Sequence, residues 1–471
     1  MDLADLTEPE RRVWQAFSRG EPVDLGGGNP TVDPEVDGPG GGSAPGGGPA
    51  GEWGADRCVR AEVIVRLLLG AVAAEPGYSP RLALAGARIT GAIDLTSGTV
   101  GCELRLVRCW LDEPVTATDA KLRNVTLDRC RVDRLHLWGV DVDGSVRLTG
   151  CRAIEVNLGG ARIAGRLHLT GSRLANSDRP AFTGTRLSVG GSLICRNATI
   201  HGELRLVDAA LGTALILTGT TLSNPGGRAL GAAGITVEQT VYCTEGFRAT
   251  GAVVLRRSRI HGQLAIDGAI DGQLDLRDAQ IHALRMKSAT GPPAKLDGLT
   301  YDHLIPEELE PDRIGWLRKD PEGYRAQPYE QLAAHYRRLG YDRRARMVLL
   351  AKRRAHCRRL PLHWRLLGWC QDALSGYGYA PGRAVGWLLA AWAVGAAYFA
   401  SNPPTDPPTD EGSFHAALYA LDVLLPTSPL RLEGTYTPTG AGFWLAIGMQ
   451  AFGWALSIAV LPALTRALSR A

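Results

Sequence analysis

The chain has 471 residues, of which 58 are glycine, with 6% aromatic and 21% charged residues. So many potential corners and so few bulky rings point away from an ordinary enzyme domain and toward a thin fold with little core per residue. The net charge of +4 is small, and the nine cysteines form no CxxC pair and are odd in number, which argues against a disulfide framework and for reduced thiols in a cytosolic compartment.

In chain order, residues 1–25 hold a short helix with Val13, Trp14 and Phe17 on one side. The start lacks a basic stretch followed by an apolar core, so no secretory signal is expected. Residues 26–54 are nearly all Gly, Pro, Ala and Asp, the composition of a disordered linker. Residues 55–80 carry Val59, Val63 and Leu67 at helical spacing, with Ile64 and Leu68 beside them. This helix is expected to cap the repeats that begin just after it.

From 81 to 290 short units such as Gly202-Glu-Leu204-Arg-Leu206 and Gly272-Gln-Leu274-Asp-Leu276 return every 10 or 11 residues. Their first apolar residues fall at Ile93, Leu104, Val125, Leu135, Val146, Val156 and Leu167, then at Leu193, Leu204, Leu215, Val253, Leu264, Leu274 and Leu284. A second apolar position lies five residues on, as in Ala87-Arg-Ile89 and Ala279-Gln-Ile281. A five-residue step fits neither a helix nor a long strand. It fits a short bridge and a corner, four of which make a coil of about 20 residues whose neighbours stack edge to edge. Glycine suits the tight corners. Cys195 and Cys243 stand where their units carry a second Leu, and are read as inward fillers.

These units resemble the pentapeptide-repeat family, which implies a mainly β fold, a right-handed parallel β-solenoid. Some members of that family mimic DNA with an acidic face, whereas 26 basic and 19 acidic residues lie between Arg81 and Lys287 here, so nucleic-acid mimicry is not expected. A longer repeat is nested inside: Leu174-Ala-Asn176 to Cys195 realigns 48 residues on with Leu222-Ser-Asn224 to Cys243. Two equivalent loops are therefore expected, carrying Asn176 and Arg179 in one and Asn224 and Arg228 in the other. They read either as tolerated insertions or as a paired contact surface for a protein partner or an anionic group.

Residues 291–383 change character. Two helices are expected, and the second carries Arg343, Arg344, Arg346, Lys352, Arg353, Arg354, Arg358 and Arg359 with no acid before Asp372. Next comes 384–464, read as a two-helix membrane hairpin from the charge-free runs Ala384 to Ala400 and Phe443 to Leu461. Aromatic residues crowd their edges. The connection holds Arg431 as its one cation, so the positive-inside rule puts both termini in the cytoplasm and the chain in the inner (cell) membrane. Arg353, Arg354, Arg358 and Arg359 are then candidates to lie on anionic lipid headgroups.

Arg60-Ala-Glu-Val63, Gly86-Ala-Arg-Ile-Thr-Gly91, Pro328-Tyr-Glu-Gln-Leu, Arg343 to Lys352 and Gly376-Tyr-Gly-Tyr379 resemble actinobacterial membrane-associated proteins often called oxidoreductases. That resemblance implies redox chemistry, but the chain has no strand–glycine turn–helix dinucleotide site, GxxxxGK[ST], HExxH or GxSxG, and no catalytic residue, metal or cofactor is assigned. His356, Cys357 and His363 lie in a basic stretch that would repel a metal cation. Three readings stay open: a membrane-tethered scaffold that binds an unknown protein and could self-associate, with no nucleic acid; a two-helix pore with a regulatory solenoid; and an oxidoreductase. The pore reading turns on Phe414 to Leu425, expected as a short interfacial segment, 414–425, with Asp422 its only acid.

Overall fold

Val125 pairs in register with Val146, and Val146 with Leu167, so one coil takes about 21 residues, the expected four five-residue steps. The computed structural model describes residues 5–26, 53–176, 178–286, 291–305, 310–359, 361, 381–404, 414–425, 436 and 438–468. Within it are two units, Met1–Gln331 and Leu332–Ala471.

The first unit is a parallel β-solenoid of about ten turns, built as two sheets of 17 and 16 short strands. The single apolar series of the sequence separates into two columns. Leu104, Val125, Val146, Leu167, Leu193 and Leu215 stack in one sheet. Leu135, Val156, Phe182, Leu204 and Leu230 stack in the other. Alternate units thus face each other across the core, and each buried Leu or Val contributes about 1.5–3 kcal/mol. Cys195 and Cys243 are buried as expected. Inward positions also hold Cys109, Cys130 and Cys151, whose thiols donate to core carbonyls of Val107, Leu106 and Leu127 at 3.4, 3.4 and 3.2 Å.

Corner residues stack too. Ser97, Asp119, Gly139, Gly160, Arg186, Asp208, Gly234, Arg257, Asp278 and Gly298 all have left-handed φ, between 53° and 76°. Glycine was expected at such corners, yet six of these ten are not glycine. A single left-handed residue costs only about 1–2 kcal/mol, least for Asp and Asn, and the coils above and below hold it.

Both ends are closed. Helix α1 (Glu8–Phe17) and helix α2 (Ala61–Leu68) lie over the first coil, and Val23 and Asp24 pair with Leu84 and Ala85. Residues 5–25 are therefore part of the cap. At the other end pairing continues past 290, through Thr300–Ile305 against Gln280–Met286. The repeats were expected to end at 290, but Pro292–Pro293 lies in one more corner, where the Pro293 carbonyl accepts from the Leu274 amide. Helix α3 (Glu310–Leu317) comes next, then helix α4 (Gln327–Arg338). Two side chains of α4 replace the missing next coil: Gln327 accepts from the Gly298 amide at 3.1 Å and donates to the Leu299 carbonyl at 2.9 Å, and Gln331 donates to the Tyr301 carbonyl at 2.9 Å.

The second unit is helical. Helix α5 (Asp342–Cys357) buries Ala345, Val348 and Ala351 along one stripe. Helices α6 (Pro381–Ser401), α7 (Ala416–Leu424) and α8 (Ala441–Leu468) pack together around Phe399, Tyr419, Val423, Leu424 and Met449. Gly453 makes this possible, because a β-carbon there would strike the Leu424 carbonyl. The expected transmembrane helices are not found as such: among the described residues no helix is long and apolar enough to cross a membrane. The charge-free run Ala384 to Ala400 rises only about 25 Å, against a hydrocarbon core of about 30 Å. In α8, Gly448, Gln450 and Gly453 dilute the apolar middle.

Candidate functional site

The two expected loops lie on one face of the solenoid, two coils apart. Ala175 pairs with His201, and His201 with Ser223, which separates Asn176 from Asn224 by roughly 10 Å at about 4.8 Å per strand. The coil between them runs through Gly202 and has no insertion. Each loop rests on a glycine of the following coil: the Asn176 carbonyl sits where a β-carbon of Gly202 would stand, and the Asn224 carbonyl does the same at Gly251.

The asparagines shape the loops from within. Asn176 Oδ1 accepts from the amides of Asp178 and Arg179 at 3.3 and 3.2 Å, and Asn224 Nδ2 donates to the Arg228 carbonyl at 2.8 Å. Such local bonds are the usual work of Asn in turns. Arg179 and Arg228 are exposed or half-exposed, and neither makes an ion pair among the described residues. The loops therefore present one cation each, held by a folded turn.

Between them lies a residue that the sequence did not mark. Glu203 is 7% exposed. Its Oε2 accepts from Arg205 Nη2 at 2.7 Å, while its buried Oε1 has no hydrogen-bond partner. The carboxylate lies against the bare α-carbon of Gly231. The neighbouring coils carry Ala181 and Ala229 at this position, read from the pairing of Phe182 with Leu204 and Leu204 with Leu230. Glu203 stayed hidden because Gly202-Glu-Leu204 reads as one more repeat unit.

In the second unit, Arg353, Arg358 and Arg359 are exposed or half-exposed and Arg354 is half-buried at the end of α5. Cations in a last turn suit the negative end of the helix dipole. Arg344, near its start, stacks on Tyr341 at 4.6 Å. Asp422, the proposed pore acid, is fully buried on α7, and Trp392 of α6 donates to the Ala417 carbonyl on the same helix at 2.9 Å. His363 lies outside the described residues, as do Gly376 and Arg431.

Among the described residues no group of three or more His, Cys, Asp or Glu is placed to hold a metal ion. Burial pushes the Cys151, Cys195 and Cys243 thiols up to about 12, so none of the three is a thiolate nucleophile at neutral pH. An open polar cleft of about 630 Å³ beside α1 is lined by Arg12, Gln15, Arg19, Glu21 and Glu75. Arg19 and Glu75 close on each other there at 2.6 Å. No family model, curated protein or solved structure matches the chain.

Proposed function

We propose that the chain is a membrane-tethered scaffold: a cytoplasmic β-solenoid that binds a protein partner through its loop-bearing face, held at the inner (cell) membrane by the α6–α7–α8 hairpin. The observation that carries the tether is the surface of that hairpin. Val385, Trp387, Leu389, Val394 at 62% exposure, Phe443, Trp444 at 72% and Trp454 are all exposed. Large apolar side chains exposed in this number on so few turns mark contact with membrane or partner. Charge-free flanks and Trp-rich edges suit a bilayer as that cover, with the α5 arginines on anionic headgroups. The scaffold half rests on the two loops, each holding one unpaired arginine at a fixed interval, with Glu203 and Arg205 in the coil between.

Alkaline carbonate extraction of membranes from cells producing the full chain tests the tether. Retention in the pellet, with release by detergent, is expected. Recovery in the supernatant as a monodisperse monomer would end the membrane reading. Crosslinking from residue 178, exposed in the first loop, then tests the scaffold, whose capture of a partner must fall when Arg179 and Arg228 are both changed to Glu.

A further inference from the structure

One column of the solenoid runs coil by coil from Ala83 to Ile305 without a carboxylate, open to the outside from Arg105 to Tyr242 and buried at Ala265. Arg105 and Arg147 stand two coils apart in its first half, and His168 follows Arg147 directly in register. Arg166 flanks His168 from one side. The column then turns apolar: Ile194 pairs with Ile216, and Ile216 with Tyr242, which is 37% exposed. Arg105, Arg147 and Arg166 are exposed and make no ion pair among the described residues. The arrangement differs further along, where Arg285 of the same column is held by Asp267 at 2.5 Å. Burial first, and then the charges of Arg147 and Arg166 alongside, lower the pKa of His168.

We propose that this face docks on the surface of an anionic lipid bilayer, its arginines on phosphates and Ile194, Ile216 and Tyr242 at the headgroup boundary. The proposal deepens the membrane reading above and rests on it. From Arg105 to Tyr242 the column spans six coil steps, roughly 29 Å of backbone fixed by strand pairing at about 4.8 Å per step. Charge complementarity chooses the occupant. Arginines near an anionic leaflet each add about five-fold to binding, and a tyrosine with two isoleucines suits the interface. A nucleic acid would meet the same arginines but would gain little from the apolar half, because phosphodiesters and sugars offer it no hydrocarbon.

The test uses the full chain reconstituted into nanodiscs of phosphatidylcholine, with or without phosphatidylserine. An environment-sensitive fluorophore is placed at Ile216→Cys, or at Thr183→Cys on the opposite sheet as control, with Cys58, Cys357 and Cys370 changed to Ser. A blue shift at 216 alone, only with phosphatidylserine and reversed by high salt, is expected. The triple change Arg105→Glu, Arg147→Glu, Arg166→Glu should weaken the response at least 100-fold in lipid concentration while leaving the β circular dichroism spectrum intact. A label at 216 that ignores phosphatidylserine in a properly inserted chain overturns the proposal. So does an equal shift on adding single-stranded RNA without lipid, which would make this a nucleic-acid face. If the chain fails to insert, the hairpin reading falls, and the same label is read with anionic vesicles added from outside, where a shift supports the face and its absence overturns it.

Discussion

Oδ1 of Asp208 occupies the place where a β-carbon on Gly234, one coil on, would stand. The same relation joins Asp119 to Gly139 and Asp278 to Gly298. A corner Asp in one coil therefore requires glycine in the next, which couples residues 20 to 26 positions apart through a single steric contact.

Replacing Gly234 with Ala should destabilise the solenoid in two separable ways. The left-handed φ of 71° costs about 1–2 kcal/mol with a side chain, and the clash with Asp208 adds to it. Removing the carboxylate in the double variant Asp208→Ala, Gly234→Ala should recover the steric part and leave the backbone part. Urea unfolding of the two single variants and the double variant measures both, and additive losses would refute the coupling.

Acid should loosen the N-terminal cap. Burial by itself would raise the Glu10 carboxyl, but Arg60, donating Nε and Nη2 at 2.7 Å each, and the Thr7 and Arg60 amides hold it at about 2 instead of 4.5. A folded-state pKa below the unfolded one gives stability that is full above about pH 5 and lost as pH falls toward 2. With solvent screening at the half-exposed Arg60 discounted, the carboxylate is worth about 2 kcal/mol to the cap. Glu10→Gln should lose that stability at pH 7 and flatten the acid limb of the unfolding profile; an unchanged limb would show that the contact does not stabilise the cap.

Thiol chemistry should divide the cysteines by burial. Cys58 and Cys357 are half-buried, whereas Cys102, Cys109, Cys130, Cys151, Cys195 and Cys243 are buried. A maleimide at pH 7 should label Cys58 and Cys357 in the native chain, and the six buried thiols only after denaturant is added, as mass spectrometry of digests would show. Native labelling of Cys195 would mean that the core opens far more readily than its packing implies.

The glutamine clasp at the far end makes a third stability test. Gln327→Ala with Gln331→Ala leaves the Gly298 amide and the Leu299 and Tyr301 carbonyls without their side-chain partners, at about 1 kcal/mol per bond. Hydrogen exchange should quicken in 294–305 and not in coils near Val146. Exposed strand edges also invite association, so the double variant should sediment faster at high concentration, and a monomer with native exchange would dismiss the clasp.

Much of the fold could be read from spacing. The 10- and 11-residue returns of Leu and Val gave the coil, because inward residues must recur wherever the chain re-enters the core. Phe182 escaped because the 176–181 insertion breaks that spacing, although its ring fills the same column as Val156 and Leu204. Asp208 and Arg257 gave no sign of their left-handed corners, since that conformation is imposed by neighbours on either side and not by the residue itself. The clasp of α4 was equally silent: Gln327 and Gln331 look like ordinary helix-surface residues until the end of the solenoid is found beside them. In the loops, Asn176 and Asn224 were legible as turn residues, but Glu203 could be recognised only once the alanines stacked against it were known.

The glycines beneath the two loops also bear on how the chain finds its alignment. Near-identical coils could slip past one another by a whole coil with little change in buried Leu or Val, the weakness of any repetitive ladder. Slippage would bring the Asn176 carbonyl against a coil that lacks the bare α-carbon of Gly202, and would displace Asn224 from Gly251 in the same movement. The two loops thus act as keys cut to a single register, letting an almost periodic sequence fold as though it had no period.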